Sequence, residues 1–446
     1  MQYRTVADII AAASFLFLAS ACGQPAIDQV SNPDTVAADI AAPAPDPKDS
    51  FTPSILAMLD QEMASVVRDK KVASLSYVLI KDGQRVASGF HGTRRLDGLE
   101  PVDDRTLYRI YSMTKPVTAV GLLMLYEEGK FDLDDPITDF LPELNELTVY
   151  EGLTAGSVRT QPANRAPTMR ELLQHTAGFG YTDGRADYVS QQFLSRQVDG
   201  ATTSDELVKK VAAIPLKFQP GEAWAYSIAS DLQGVIIERI SGQTLDAFFE
   251  ERIFAPLGMT DTGFTVDDDG RARLTELTGW TPETGMQPLT GPAQTLGREE
   301  ITRFSGGHGL VSTIADYERF AAMLLNGGKL GDITVLKPET VSMMTANGLT
   351  FVDANTGLPL HRPARGVGYG FGVGVIDDTI ASGLGAPEGS YYWDGAAGTW
   401  FWIDPRHDLI FIGMLQNMSS SPVSMRRAAM QRVYHALITD YFPVSK

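Results

Sequence analysis

With 446 residues, 43% of them hydrophobic, the chain can bury a sizeable core in one large or two modest domains. A formal charge of −18 argues against the clustered Lys and Arg of a nucleic-acid or anionic-membrane footprint. The single cysteine, Cys22, rules out an intramolecular disulfide, and the six histidines show no metal-ligand spacing, so no metal and no cofactor is expected.

At the N-terminus Arg4 precedes an apolar stretch, Ile9 to Ala19, and small residues ending in Ala21-Cys22-Gly23, which reads as a secretory signal over residues 1–22. The run Leu18-Ala19-Ser20-Ala21-Cys22 resembles a bacterial lipobox, with Ala19 where a large aliphatic residue is usual. The resemblance implies export to the bacterial cell envelope, lipidation at Cys22 and a membrane-anchored protein facing the periplasm. From Gly23 to Ser50 the composition turns to Ala, Pro and Asp, as in Ala41-Ala42-Pro43-Ala44-Pro45-Asp46-Pro47, which suits a semi-extended tether. No run in the remaining body approaches the length of a membrane span.

The folded body is expected from Phe51 to the end. It opens with a helical pattern, Ile55, Leu56, Leu59, Met63, Val66 and Val67. A hairpin follows, Ala73 to Ile80 and Arg85 to Phe90 around the turn Lys81-Asp82-Gly83-Gln84. After a short strand at Thr106 to Ile110, an apolar helix is predicted over Ser112 to Glu128, with Gly129 as its stop. The middle, about 132–300, reads as a mostly helical inserted lobe with helices at Met169–Leu173, Ser204–Ile214, Ser230–Ser241 and Leu245–Phe254. Later come a helix at Ile314–Leu325, strands at Tyr369–Ile376, Tyr391–Asp394, Thr399–Ile403 and Leu409–Leu415, and a last helix at Val423–Tyr441. Trp400-Phe401-Trp402 alternates as a core strand. Strands at both ends around a helical middle predict an α+β fold, an antiparallel sheet flanked by helices and built from both termini, with a cleft beside the inserted lobe.

The chemistry centres on Tyr111-Ser112-Met113-Thr114-Lys115-Pro116. On a helix, residues three apart share a face at roughly 5–6 Å between Cβ atoms, so the Lys115 amine can reach the Ser112 hydroxyl. An unprotonated amine there would take the serine proton, and the helix N-terminus would stabilise negative charge at the reacting centre. Pro116 is tolerated because its missing N–H falls in the first turn. A lone Ser-x-x-Lys is weak, and its bland explanation is a solvated helix face. Here it starts the most apolar helix of the body, where a surface lysine is out of place, and no other lysine has a serine at that spacing.

The segment Tyr108-Arg109-Ile110-Tyr111-Ser112-Met113-Thr114-Lys115-Pro116-Val117-Thr118-Ala119 resembles the active-site motif of the serine β-lactamase-related superfamily, which includes class C β-lactamases, D-alanyl-D-alanine peptidases and family VIII carboxylesterases. Leu172-Leu173-Gln174-His175-Thr176-Ala177-Gly178, Pro220-Gly221-Glu222 with Tyr226-Ser227, and Gly306-Gly307-His308-Gly309-Leu310-Val311-Ser312-Thr313 agree in order and spacing. The resemblance implies that Tyr226 shares proton transfer with Lys115; a phenol acts as a base only where a nearby cation favours its ionised form. It also implies structural rather than catalytic roles for His175 and His308, and an oxyanion hole from the backbone N–H groups of Ser112 and Ala396.

Two departures bear on the substrate. β-Lactamases of this group usually carry Tyr-x-Asn, but Ile228 stands at the third position, and Trp393-Asp394-Gly395 replaces their Lys-Thr-Gly. Trp393 suits an apolar or aromatic group, and Asp394 is expected to repel a carboxylate, so Trp393, Asp394, Gly395 and Ile228 are the expected substrate contacts. No Gly-x-Ser-x-Gly elbow occurs. The expected activity is serine hydrolysis of small carboxylic esters, or of amides, through an acyl-enzyme on Ser112. A β-lactamase or D-alanyl-D-alanine carboxypeptidase is the enzymatic alternative, and an envelope binding protein on an inactive scaffold is the non-enzymatic one.

Overall fold

The computed structural model describes residues 46–154, 156–182, 185–290, 301–350, 362–419 and 425–437. The signal segment 1–22, the lipobox with Cys22, and tether residues 23–45 lie outside the described residues, as do both ends of the helix predicted at Val423–Tyr441. Asp46–Lys446 forms one compact unit. Its first residues correct the tether boundary: Pro47–Ser50 form a 3-10 turn capped by Asp46, and buried Phe51 bridges to Leu437.

The predicted hairpin forms as β1 (Ser74–Lys81) and β2 (Gln84–Gly92). The later strands are β3 (Val367–Tyr369), β4 (Gly374–Ile376), β5 (Tyr391–Asp394), β6 (Trp400–Asp404) and β7 (Leu409–Leu415). Together they make a seven-stranded sheet in the order β3-β4-β5-β6-β7-β1-β2. The two ends of the chain meet where β1 pairs antiparallel with β7, from Leu75 opposite Leu415 to Lys81 opposite Leu409. One strand was expected over Tyr369–Ile376, but the chain turns within it. Gly370 N–H bonds the Val373 carbonyl at 2.9 Å and Gly372 takes φ +78°, which breaks the run into β3 and β4.

Both sheet faces are covered, and the period-two alternation of a strand sorts the side chains. Leu75, Tyr77, Leu79, Trp400, Trp402, Phe411 and Leu415 face helices α1 (Pro53–Arg68) and the C-terminal Met425–Ala436, in one buried cluster. Val78, Ile80, Phe401, Ile403, Ile410, Ile412 and Met414 face the main core, with α2 (Thr114–Glu127), α3 (Ala229–Ser241) and α4 (Ile314–Leu325). Each such side chain contributes roughly 1.5–3 kcal/mol over leaving it in water. Trp402 stacks on Phe411 with centroids 4.3 Å apart, and Phe411 lies on Tyr77 at 5.6 Å. Gly413 makes room for this layer, because a Cβ there would meet the Trp400 ring at 2.1 Å.

The inserted lobe is mostly helical, as expected, with two additions. Hairpins form at Thr148–Thr154 with Ser157–Pro162 and at Thr278–Thr281 with Gly285–Pro288. The helix expected at Leu245–Phe254 is α-helical only to Phe249 and continues as a π turn, Glu250–Phe254. Helix α2 is buried on every side over Thr114–Leu125, which accounts for its uniformly apolar sequence. It ends at Glu127, with Glu128 as its C-cap and Gly129 following at φ +69°.

Candidate active site

Every residue from Thr106 to Leu125 is buried except Ser112, which is partly exposed. The helix does not begin at Ser112 as the spacing suggested. Tyr111–Met113 form a 3-10 turn and α2 starts at Thr114. Tyr111 takes φ +45°, a left-handed conformation that costs a non-glycine residue about 1 kcal/mol or more, and it bends the chain so that Ser112 faces outward.

The first turn of α2 is stitched to the glycine-rich segment. Thr118 Oγ1 donates to the Gly306 carbonyl at 2.7 Å, Leu310 N–H to Thr114 Oγ1 at 3.2 Å, and Lys115 Nζ to the Gly307 carbonyl at 2.7 Å. Lys115 is fully buried, and its amine lies 3.3 Å from Ser112 Oγ. Tyr226, just ahead of α3, donates its phenolic O–H to the same Oγ at 2.7 Å. The Lys115 amine also stands 4.7 Å from the Tyr226 ring centre and 5.2 Å from that of Tyr181. The structure thus brings Ser112, Lys115 and Tyr226 together.

His175 holds Tyr226 in place. Its carbonyl accepts from Ala225 N–H at 3.0 Å, and Nδ1 accepts from Ser227 N–H at 3.1 Å and lies 2.8 Å from Ser227 Oγ. With Nδ1 an acceptor, the ring proton sits on Nε2. Burial, reinforced by the charge of Lys115, holds His175 well below its ordinary pKa, so it is neutral. Burial likewise lifts the Tyr181 and Tyr369 phenols well above 10, and they stay protonated.

The strand expected beside Ser112 is β5. Its pairing with β4 stops at Tyr392, so Trp393 and Asp394 pair only with β6 and present a free edge. Gly395 is pressed against the serine turn, since a Cβ there would lie 2.4 Å from the Ile110 carbonyl and 2.1 Å from Thr399 Oγ1. Gly395 donates its N–H to the Thr399 carbonyl at 2.7 Å, and Thr399 Oγ1 donates to the Ile110 carbonyl at 3.2 Å. Ala396 is exposed immediately beyond.

Trp393 is half-buried against Tyr226 at 5.6 Å and Tyr369 at 5.1 Å between ring centroids. Trp224 and Tyr181 extend this aromatic wall, at 6.4 and 5.3 Å from Tyr226. Tyr181, Trp224 and Tyr369 were not singled out in the sequence, because they come from three separate loops and strands that share no local pattern. Two expectations change. Asp394 points away from Trp393, as alternate strand residues do, and Arg426 Nη1 bonds its carboxylate at 2.6 Å while the guanidinium carbon lies 4.0 Å over the Tyr392 ring. Its charge is therefore neutralised rather than aimed at a substrate. Ile228 is fully buried in the main core, with its N–H on the Gly180 carbonyl at 2.9 Å, so it seals the floor behind Tyr226 rather than lining an open surface.

Among the described residues no group of three or more His, Cys, Asp or Glu side chains is placed to hold a metal ion, and no helix is long and apolar enough to cross a membrane.

Known proteins share this arrangement of chain and fold. The Beta-lactamase family profile matches residues 57–435. Esterase EstB of Burkholderia gladioli is 29% identical over 367 residues, 78% of this chain and 87% of its own. Lovastatin esterase of Penicillium rubens is 31% identical over 331 residues, 70% of this chain and 80% of its own. The solved structure of simvastatin synthase from Aspergillus terreus superposes with a TM-score of 0.72 at 23% identity, covering 87% of this chain and 99% of that one, a likeness of fold. A profile match spanning nearly the whole described unit, on a fold that gathers the serine, lysine and tyrosine of its motifs at one point, leaves one assignment: the chain belongs to the Beta-lactamase family.

Proposed function

We propose that this protein is a serine hydrolase that cleaves carboxylic esters through an acyl-enzyme on Ser112. The observation that carries the reading is the partly exposed Ser112 in an otherwise buried stretch, with a phenol at 2.7 Å and an amine at 3.3 Å from its hydroxyl. Tyr226 in its ionised form takes the Ser112 proton across the short contact while Lys115 keeps positive charge beside it, and Ser112 Oγ attacks the ester carbonyl. The backbone N–H groups of Ser112 and Ala396 receive the oxyanion. Tyr226 returns the proton to the leaving alcohol, and water releases the acid by the same steps. Trp393 and the aromatic wall suit an apolar acyl or alkyl group, and the site offers no cation at position 393 for a β-lactam carboxylate. The names of EstB and lovastatin esterase support an ester substrate.

The test is turnover of p-nitrophenyl butyrate against nitrocefin and a D-alanyl-D-alanine peptide by the full chain, with Ser112→Ala as control. Ester hydrolysis lost in the variant is expected. Dominant nitrocefin or peptide turnover would overturn the ester assignment, and absence of any serine-dependent turnover would favour a binding role. We also infer that the protein is exported and anchored in the cell envelope by lipidation of Cys22. Metabolic labelling with an alkyne fatty acid, lost in Cys22→Ala, is the expected result; an unlabelled, freely soluble product would contradict it.

A further inference from the structure

We infer that Asp231 is a positioning residue for the reaction at Ser112, acting through the Ser305 hydroxyl on the turn whose Gly307 carbonyl holds the Lys115 amine. The inference rests on the reading of Ser112 and Lys115 given above. Lys115 is 2.7 Å from the Gly307 carbonyl but 3.3 Å from Ser112 Oγ, so the carbonyl sets where the amine stands. Gly307 has no side chain to hold it, and its turn lies flat on α3. A Cβ at Gly307 would be 2.3 Å from Asp231 Oδ2, and one at Gly306 would be 2.5 Å from the Ser230 carbonyl.

One hydroxyl organises this turn. Ser305 Oγ donates to Asp231 Oδ1 at 2.6 Å and accepts from the N–H groups of His308 at 3.1 Å and Gly307 at 3.3 Å. It lies 3.0 Å from His308 Nδ1. Because its only proton goes to the carboxylate, His308 Nδ1 is the donor in that contact. Arg303 Nη1 steadies Asp231 Oδ1 at 3.2 Å, and its Nε donates to the Ala201 carbonyl at 3.0 Å. The Asp231 side chain is 1% exposed.

The bland alternative is a buried ion pair that merely ties α3 to the 303–308 segment. Such a tie needs only Arg303 and Oδ1, whereas here Oδ1 also takes the hydroxyl proton of Ser305, which carries the turn, and Oδ2, with no hydrogen-bond partner among the described residues, abuts Gly307. The charged and titratable groups facing Asp231 are Arg303, His308, Lys115, Asp199, Tyr181 and His175. Removing its negative charge disfavours positive and favours negative charge at the groups around it, so the pH profile of the reaction moves to lower pH.

The experiment compares wild type, Asp231→Asn and Ser305→Ala as full chains. It measures kcat and KM for p-nitrophenyl butyrate, the rate of fluorophosphonate labelling of Ser112 against pH, and the melting temperature. Both variants are expected to lose on the order of 10–100-fold in kcat and labelling rate, as for a group displaced by a fraction of an ångström. KM is expected within about threefold of wild type. Only Asp231→Asn should shift the labelling profile to lower pH. Ser305→Ala keeps the Asp231–Arg303 pair, so it decides the question if Asp231→Asn fails to fold. Folded variants that label and turn over within about twofold of wild type, or that change KM alone, would overturn the inference. A wild type that does not label at all would overturn the Ser112 reading and this inference with it.

Discussion

Tyr226→Phe separates chemistry from packing more cleanly than any other change at the site. The substitution removes the 2.7 Å bond to Ser112 Oγ and keeps the ring, whose contacts with Trp393 at 5.6 Å, Tyr181 at 5.3 Å and His175 at 5.2 Å do not use the hydroxyl. Folding stability should fall by about 1 kcal/mol, the worth of one hydrogen bond, or a few degrees in Tm. If the phenol carries the proton, kcat loses about 10²–10⁴-fold, which is about 2.7–5.5 kcal/mol of barrier. Lys115 cannot replace it at full rate, because its amine is held by the Gly307 carbonyl and stands 3.3 Å from the serine. Steady-state hydrolysis of p-nitrophenyl butyrate with a parallel melting curve reads both numbers. A folded variant whose kcat stays within about threefold of wild type would remove Tyr226 from the proton path.

Three further outcomes follow from the geometry. Trp393→Ala opens the aromatic wall beside Tyr226 and should raise KM for p-nitrophenyl butyrate roughly tenfold while raising that for the acetate less, the scale of one lost apolar contact surface; equal effects on both esters would argue against an acyl-binding role. Asp394→Asn should leave the preference for neutral over carboxylate-bearing esters within about twofold and cost at most about 1 kcal/mol of stability, because Arg426 already neutralises a partly exposed carboxylate; a gain of turnover on carboxylate-bearing esters would refute this. Stability should fall as pH drops below 6.5, the ordinary histidine value. Burial lowers the pKa of both His175 and His308, for the latter against the opposing pull of Asp231 and Asp199, so the unfolded chain binds protons that the folded one refuses. The stability present above that pH is lost on acidification, before carboxylates titrate near 4, and His308→Asn should flatten the Tm profile there; an unchanged profile would contradict it.

Much of the site is legible in the sequence because its parts are local. Ser112 and Lys115 are three residues apart at the head of an apolar run, and the hairpin around Asp82-Gly83 carries its own turn signal. Tyr226 was reachable only through resemblance to a family motif, since nothing in its spacing ties it to Ser112. What stayed hidden depends on distant residues. The partner of Asp394 is Arg426, on the far C-terminal helix, and without it the carboxylate reads as a repulsive charge. Ile228 reads as a substrate contact by alignment to a motif, whereas the approach of Gly180 turns its side chain into core. The hairpin at Ser157–Pro162 is exposed along its whole second strand, so it has no alternation to betray it.

The pairing of β1 with β7 also fixes when in the life of a molecule the site can exist. The serine turn is made well before the Trp393–Ala396 edge beside it and the strand that closes the sheet at Leu415. Closing the chain from Leu75 to Leu415 must precede those contacts, which is the slow route to a native sheet. A nascent chain therefore carries the serine before the strand that would shape its pocket, and the site is complete only once β7 has been made and paired with β1.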